Sequence, residues 1–196
     1  MLLRGKDSFD PKFIKIIDKL DLQTEKLTSL VQQLMDVSQM ENGSLAYSLE
    51  NVPFNAFVSE VVDLLCQAHN SHTISLTLNE DAVIKIDRLR MEQVITNLLG
   101  NAAKYSPTGT SIGVECSMKD GMALVSVTDN GLGMSKEVLG SIFEKFYRDK
   151  NVLATHPGLG MGLYITSKIV IDHGGKIWAE SSEGAGSTFF FSIPCN

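Results

Sequence analysis

Apolar side chains, with one threonine among them, recur from Phe13 through Ile17, Leu20, Thr24, Leu27 and Val31 to Leu34 at alternating steps of four and three. That spacing is a heptad seam, and Ile16, Leu30 and Val37 widen it. Asp10-Pro11 supplies a helix start and Asn42-Gly43 a stop. The pattern predicts one long N-terminal helix. Such a helix either packs on its own domain or belongs to a dimeric bundle whose partner helix is missing, and the regular heptads favour the bundle.

Downstream the period changes. Phe57, Val61, Leu64, Leu65 and Ala68 share one face of a helix predicted over residues 55–68. Ile74, Leu76 and Leu78 alternate with polar residues, as a half-buried strand does, and residues 83–86 read as a short second strand. A helix over 88–104 follows and stops before Ser106-Pro107. Ile112, Val114 and Cys116 alternate again, as do Ala123, Val125 and Val127, with Lys119-Asp120-Gly121 joining the two runs as a hairpin. Another helix covers 161–172 and ends at His173-Gly174-Gly175. Two closing strands, 176–180 and 188–193, flank a turn at 183–186. Strands and helices do not strictly alternate, so the expected fold is an α/β (α+β) sandwich of two layers: a mixed sheet with helices on one face, plus the N-terminal helix.

Bulk properties narrow the function. With 196 residues and 43% hydrophobic content, the chain can form one well-buried domain with a small helical appendage. Lys and Arg total 17 against 23 acidic residues, a formal charge of -6. That argues against a nucleic-acid surface, which would need a basic stripe, but not against ATP, whose phosphates require only local donors. Three widely spaced cysteines, Cys66, Cys116 and Cys195, form no CxxC pair. They argue against zinc and against a disulfide framework, and they fit a reducing compartment. No apolar run approaches the ~20 residues needed to span a bilayer, and no secretory signal opens the chain. Met1-Leu2-Leu3-Arg4-Gly5 reads unlike the start of a natural domain, so a longer parent protein is expected.

Candidate chemistry lies in the glycine-bearing segments, since 14 of the 16 glycines fall at position 100 or later. On the 88–104 helix, Arg90, Gln93, Asn97, Asn101 and Lys104 occupy an arc of about 80°, with Tyr105 at its edge and Met91, Ile95, Leu98, Leu99 and Ala102 opposite. Asn97 and Asn101 are one turn apart and can converge on one ligand. A carboxamide oxygen is a hard ligand suited to Mg2+, and an ammonium at Lys104 suits a phosphate. The same arc is equally what a solvated polar face looks like. Asp129-Asn130-Gly131-Leu132-Gly133 follows a strand; the carboxylate can accept from an exocyclic amine such as that of adenine, and Gly131 and Gly133 allow close backbone approach, unless this is an ordinary turn. Gly158-Leu159-Gly160-Met161-Gly162-Leu163 opens a helix, where backbone N–H groups bind phosphate, unless it is a flexible connector. Its spacing is not G-x-G-x-x-G, and no G-x-x-x-x-G-K-[ST] loop occurs, so neither of those nucleotide motifs is present. Phe143, Phe146 and Tyr147 read as a helical aromatic face packed in the core, with Arg148 beside them and residues 148–157 as a candidate lid. His69, His72, His156 and His173 have no metal-binding company, and His173 falls at a helix C-terminus, where partial positive charge is favoured. No Ser-His-Asp arrangement and no G-x-S-x-G elbow can be drawn.

Taken in order, these segments resemble the ATP-binding region of bacterial sensor histidine kinases, within the gyrase, Hsp90, histidine kinase and MutL superfamily. Residues 88–105 resemble the N box, 129–133 the G1 box, 142–148 the F box and 158–163 the G2 box. His173-Gly174-Gly175-Lys176-Ile177 and Gly186-Ser187-Thr188-Phe189 resemble the end of the same domain, so the likeness spans residues 11–196. The resemblance implies the Bergerat-type, left-handed sandwich. It implies Mg2+ on Asn101 with Asn97 assisting, phosphates on Lys104 and Arg148, Tyr105 and Tyr147 against the nucleotide, and the adenine amine on Asp129. It also implies a closing cover from Gly158, Gly160, Met161, Gly162 and Leu163. Residues 1–43 would then be part of a dimerisation and phosphoacceptor hairpin, and 44–196 the ATP-binding domain. Implied partners are ATP, the acceptor helix, a response-regulator receiver domain and a second copy in a full-length homodimer, all in the cytoplasm.

The resembling family carries its acceptor histidine in a His-Glu/Asp-x-x-x-Pro segment on the first hairpin helix. Here the four histidines are followed by Asn70, Thr73, Pro157 and Gly174, and residues 1–6 would be only the tail of that first helix. The chain is therefore expected to bind ATP without phosphorylating itself on the usual residue. A nucleotide-binding regulatory module without kinase turnover is the alternative. A gyrase- or Hsp90-like ATPase is disfavoured because those enzymes use a carboxylate base where this helix has Asn97.

Overall fold

The computed structural model describes residues 11–68, 71–149 and 158–195, which divide into two compact units between Leu45 and Ala46. The first contains one helix, α1 (Pro11–Glu41). Its heptad positions Phe13, Ile17, Leu20, Leu27, Val31 and Leu34 are all exposed. Thr24 and Thr28 turn their hydroxyls back to the carbonyls of Leu20 and Thr24, each at 2.9 Å. His69, His156, residues 1–6 and the 150–157 part of the candidate lid lie outside the described residues. No helix among the described residues is long and apolar enough to cross a membrane.

The second unit contains β1 (Glu50–Pro53), α2 (Phe54–Ala68), β2 (Thr73–Leu78), β3 (Val83–Ile86), α3 (Arg88–Tyr105), β4 (Ser111–Lys119), β5 (Met122–Asp129), α4 (Lys136–Ser141), α5 (Gly162–Asp172), β6 (Lys176–Ser181) and β7 (Ser187–Pro194). Five strands form one sheet in the order β2-β4-β5-β7-β6, in which only β2 and β4 run parallel. The expected mixed sheet is therefore present. Ile112, Val114 and Cys116 of β4, Ala123, Val125 and Val127 of β5, and Phe189, Phe191 and Ile193 of β7 are buried, while their neighbours along each strand are mostly not. One sheet face thus carries the core, and α2, α3 and α5 pack against it. Burial pushes the Cys116 thiol up to about 12, so it behaves as a small hydrophobe; all three cysteines are free.

Two features depart from the sequence reading. β1 was not foreseen: it has one buried side chain, Val52, and a proline at its end, too little for a two-residue period to emerge. It pairs antiparallel with β3, outside the main sheet. On α2 the buried face is Phe54, Phe57, Val58, Val61 and Val62, and Leu64 is exposed. The helix begins one residue before its expected start, where the Phe54 N–H donates to the Ala82 carbonyl and the Asn55 N–H to Asp81. The expected hairpin is a two-residue turn in which Asp120 and Gly121 are both left-handed, with φ of 52° and 74°, the twist that adjacent antiparallel strands require.

Capping fixes where α3 lies. Asp87 is its N-cap: one carboxylate oxygen accepts from the Arg90 N–H at 3.0 Å and the other from the Ser48 N–H at 2.9 Å. Ser106 closes the other end, donating its N–H to Ala102, and Pro107 prevents continuation. Asp87→Ala removes both acceptors from a buried position, so urea unfolding should show a loss of roughly 1–3 kcal/mol. A change of only a few tenths would mean that α3 does not depend on this cap.

Candidate functional site

The split along α3 orients the site. Met91, Val94, Ile95, Leu98, Leu99 and Ala102 are buried, which leaves Arg90, Gln93, Asn97, Asn101 and Lys104 half-exposed on the opposite arc. α5 packs beside α3. Between them, Asn97 Nδ2 donates to Thr166 Oγ1 at 2.8 Å. The Asn97 Oδ1 lies at the start of α5, where a Cβ on Gly162 would come within 2.5 Å of it. Gly162 therefore lets the α5 start close onto the carboxamide.

The start of α5 has no side-chain cap; its N-cap residue is Met161. The first intrahelical bond runs from the Ile165 N–H to the Met161 carbonyl, so the preceding amides have no intrahelical acceptor. Together with the helix dipole they form an anion-binding end. Lys104 approaches the segment just before it, with its Nζ 4.0 Å from the Cβ position of Gly158 and 4.9 Å from the centre of the Tyr105 ring. The Met161 side chain is fully buried and serves the core, and Leu163 is half-buried. Gly160, at φ 72°, is pressed against the Tyr147 carbonyl and the Arg148 stem, with Cβ distances of 2.5 and 2.9 Å. This contact brings Tyr147 and Arg148 to the glycine segment.

The aromatic segment is not the expected helix. α4 stops at Ser141, and the Glu144 and Tyr147 N–H groups bond to carbonyls three residues back. Phe146 adopts φ 64°, which no helical residue can, and it is exposed, while Phe143 and Tyr147 are half-buried. The expectation of a packed helical aromatic face is corrected accordingly.

Asp129 ends β5 and is nearly sequestered, at 5% exposure. Its Oδ1 accepts from the Gly131 N–H at 2.7 Å. Burial raises its carboxyl above the usual range, and the backbone N–H groups of Gly131 and Ser187 only partly oppose this. Gly131 abuts the α3 end, with a Cβ position 2.7 Å from the Tyr105 carbonyl oxygen, and Gly133, at φ 66°, lies on the Ser182 carbonyl. These glycines thus answer to the protein's own backbone as well as to any ligand. The turn is tied to β6 and its following loop by Met134 N–H to Ser181 Oγ at 2.8 Å and Gly184 N–H to the Leu132 carbonyl at 2.7 Å.

Sequence reasoning missed Thr166, the polar member of the buried α5 set Ile165, Thr166, Ile169 and Val170. Its place four residues after Gly162 was the available signal. It also missed the anchor at the far ends of α3 and α5. There the His173 Nε2 accepts from the Asp87 N–H at 3.0 Å and its Nδ1 donates to the Ile169 carbonyl at 2.7 Å. One nitrogen must accept, so the ring is neutral and the positive charge expected at this helix end is not there. Tyr47 packs edge-on against this ring and donates to Asp172 at 2.8 Å; burial and that bond raise its phenol.

Whether the arrangement suits a magnesium nucleotide follows from its donors. Among the described residues no group of three or more His, Cys, Asp or Glu could cage a metal. Asn97 and Asn101 offer carboxamides one turn apart beside the uncapped α5 start and Lys104. That set suits an ion that keeps waters and shares phosphate oxygens, and the buried Asp129 suits a flat amine-bearing base.

Residues 86–196 match the family described as histidine kinase-, DNA gyrase B-, and HSP90-like ATPase. The chain is 31% identical over 189 residues to the sensor histidine kinase WalK of Bacillus subtilis, covering 94% of this chain and 30% of that one. It is likewise 31% identical to the sensor protein KdpD of Clostridium acetobutylicum, covering 92% of this chain and 20% of that one. The chain thus spans less than a third of the length of these curated relatives. Among solved structures, the catalytic domain of histidine kinase ThkA superposes with a TM-score of 0.66 at 30% identity, over 76% of this chain and 96% of that one. The Acinetobacter baumannii histidine kinase AdeS superposes with a TM-score of 0.76 at 25% identity, over 96% and 87%.

Asp129 supplies a test with a definite sign. A carboxyl raised by the fold is favoured neutral. Its penalty is absent below the unfolded aspartate's range and complete once pH has risen through the raised folded value. Asp129→Asn should therefore melt higher than the wild-type chain at neutral pH, with the gain shrinking on acidification. A variant that melts lower at neutral pH would contradict this account of Asp129.

Proposed function

The chain belongs to the histidine kinase-, DNA gyrase B-, and HSP90-like ATPase family, and we propose that it is the ATP-binding kinase domain of a two-component sensor histidine kinase. In this reading it delivers the γ-phosphoryl group of ATP to a histidine on a dimerisation hairpin helix, for relay to a receiver domain. The observation that carries the reading is the meeting of α3 with the uncapped start of α5. The Asn97 carboxamide meets the uncapped α5 start, Lys104 reaches the glycine segment just before it, and the turn after Asp129 reaches the Tyr105 end of α3 through Gly131.

Phosphoryl transfer asks a protein mainly for positioning and charge neutralisation. Bound Mg2+ would supply neutralisation of the phosphate oxygens. Asn101 would hold it, with Asn97 assisting. Lys104 and Arg148 would bind phosphate oxygens, and the amides after Gly160 would cradle them. Asp129 would accept from the adenine amine and so orient the base, with Tyr105 and Tyr147 against the nucleotide. None of these groups needs to take the proton of an attacking water, and the side chain nearest the α5 start is the neutral Asn97. This suits transfer to an imidazole, itself nucleophilic when neutral, better than hydrolysis. The acceptor histidine would be carried by a dimerisation hairpin helix.

The direct test mixes this chain with radiolabelled ATP and a dimerisation hairpin carrying the acceptor histidine. Label appearing on the hairpin supports the kinase reading; ATP binding without transfer favours a regulatory module. Asn101→Ala should lower magnesium-dependent ATP affinity at least tenfold, by about 1.4 kcal/mol or more in calorimetry. Undiminished affinity would remove Asn101 from the site.

A further inference from the structure

A threonine in the middle of a buried helix face needs a reason. Thr166 is 1% exposed, between Ile165 and the pair Ile169 and Val170, where valine would fill the same space without a hydroxyl to satisfy. Its Oγ1 accepts from Asn97 Nδ2 at 2.8 Å. Helical threonines commonly give their own proton to the carbonyl four residues back, as Thr24 and Thr28 do in α1, which leaves the oxygen free to accept.

This bond decides more than stability. The terminal torsion of asparagine is broad and roughly two-fold, so an unrestrained Asn97 would present either its NH2 or its oxygen to the start of α5. With Nδ2 committed to Thr166, the oxygen is the atom at Gly162, and an added Cβ there would come within 2.5 Å of it. The two partners lie one turn apart on α5 and so set both ends of the amide.

We propose that Thr166 is a positioning residue: it holds Asn97 so that the carboxamide oxygen, not the NH2 group, faces the phosphate end of the cleft. Asn97 then acts as an acceptor toward a hydrated cation and not as a donor to phosphate. This inference rests on the magnesium-nucleotide reading of α3 given above.

The test uses the 196-residue chain and the nonhydrolysable ATP analogue adenylyl imidodiphosphate, titrated by calorimetry with Mg2+ and separately with EDTA. Thr166→Val should weaken binding roughly fivefold with Mg2+, the scale of one hydrogen bond, and leave the EDTA titration unchanged. Thr166→Ser keeps the acceptor and should restore wild-type affinity. Should the valine variant fail to fold, as its melting curve will tell, Thr166→Ala takes its place. Three results overturn the proposal: unchanged affinity in Mg2+ when Asn97→Ala loses it, a serine variant as weak as valine, or equal losses with and without metal. If Asn97→Ala itself binds normally in Mg2+, the magnesium role of Asn97 fails first and the proposal falls with it.

Discussion

The rotational setting of α3 about its own axis governs everything that happens at the cleft. Six of its residues, Met91, Val94, Ile95, Leu98, Leu99 and Ala102, are essentially without solvent exposure. Burying a large apolar side chain contributes about 1.5–3 kcal/mol, and a helix advances 100° per residue. Turning α3 by even one residue would expose part of that set and drive Asn97 or Asn101 into the core. The core therefore aims the carboxamides without any bond to a ligand. Asp87 at one end and Ser106-Pro107 at the other remove the remaining freedom, which is translation along the axis.

α5 is held differently. Its C-terminal end is anchored, because neutral His173 bridges the Ile169 carbonyl and the Asp87 N–H and so ties the end of α5 to the N-cap of α3. Its N-terminal end is left without a side-chain cap. A helix end with orphan amides is costly, and it persists when the rest of the helix is fixed well enough. Thr166 adds a second tie one turn into the helix, through Asn97. The two ties put rigidity where packing can supply it and leave the donors at the glycine-rich end.

Much of this was legible beforehand, for identifiable reasons. The alternation in β4 and β5 and the one-sided arc of α3 follow from burial, which imposes a period on sequence, and both were recovered nearly to the residue. β1 was missed because one buried valine beside a proline carries no period. The aromatic run at 143–147 has helical spacing, yet Phe146 is left-handed, and spacing alone cannot report a backbone that turns back on itself. His173 was read from its position on a helix, whereas its charge state is set by the Asp87 amide, a partner 86 residues away in sequence. Long-range pairs of single polar groups leave no periodic trace, and Thr166 with Asn97 is another such pair.

The fixed order of the glycine segments along the chain is a consequence of sheet topology. β5 is central, and its last residue, Asp129, pairs with the first residue of β7, Ser187. The loop entering β7 therefore lies against the turn leaving β5, and Gly186, at φ 80°, packs directly on the Asp129 backbone. Gly131 meets the C-terminal end of α3 from the same turn. α5 must cross the sheet face between β5 and β6 to let β6 enter at the edge, and that crossing lays it beside α3. Gly131, Gly133, Gly160 and Gly186 stand where two backbones come within a Cβ's reach, whereas Gly162 meets the Asn97 side chain. The residues that would touch a nucleotide and those that close the sandwich are thus interleaved in the same short segments. A substitution such as Gly131→Ala or Gly162→Ala would disturb this packing, so in the proposed reading a fold requirement and a binding requirement would fall on the same positions.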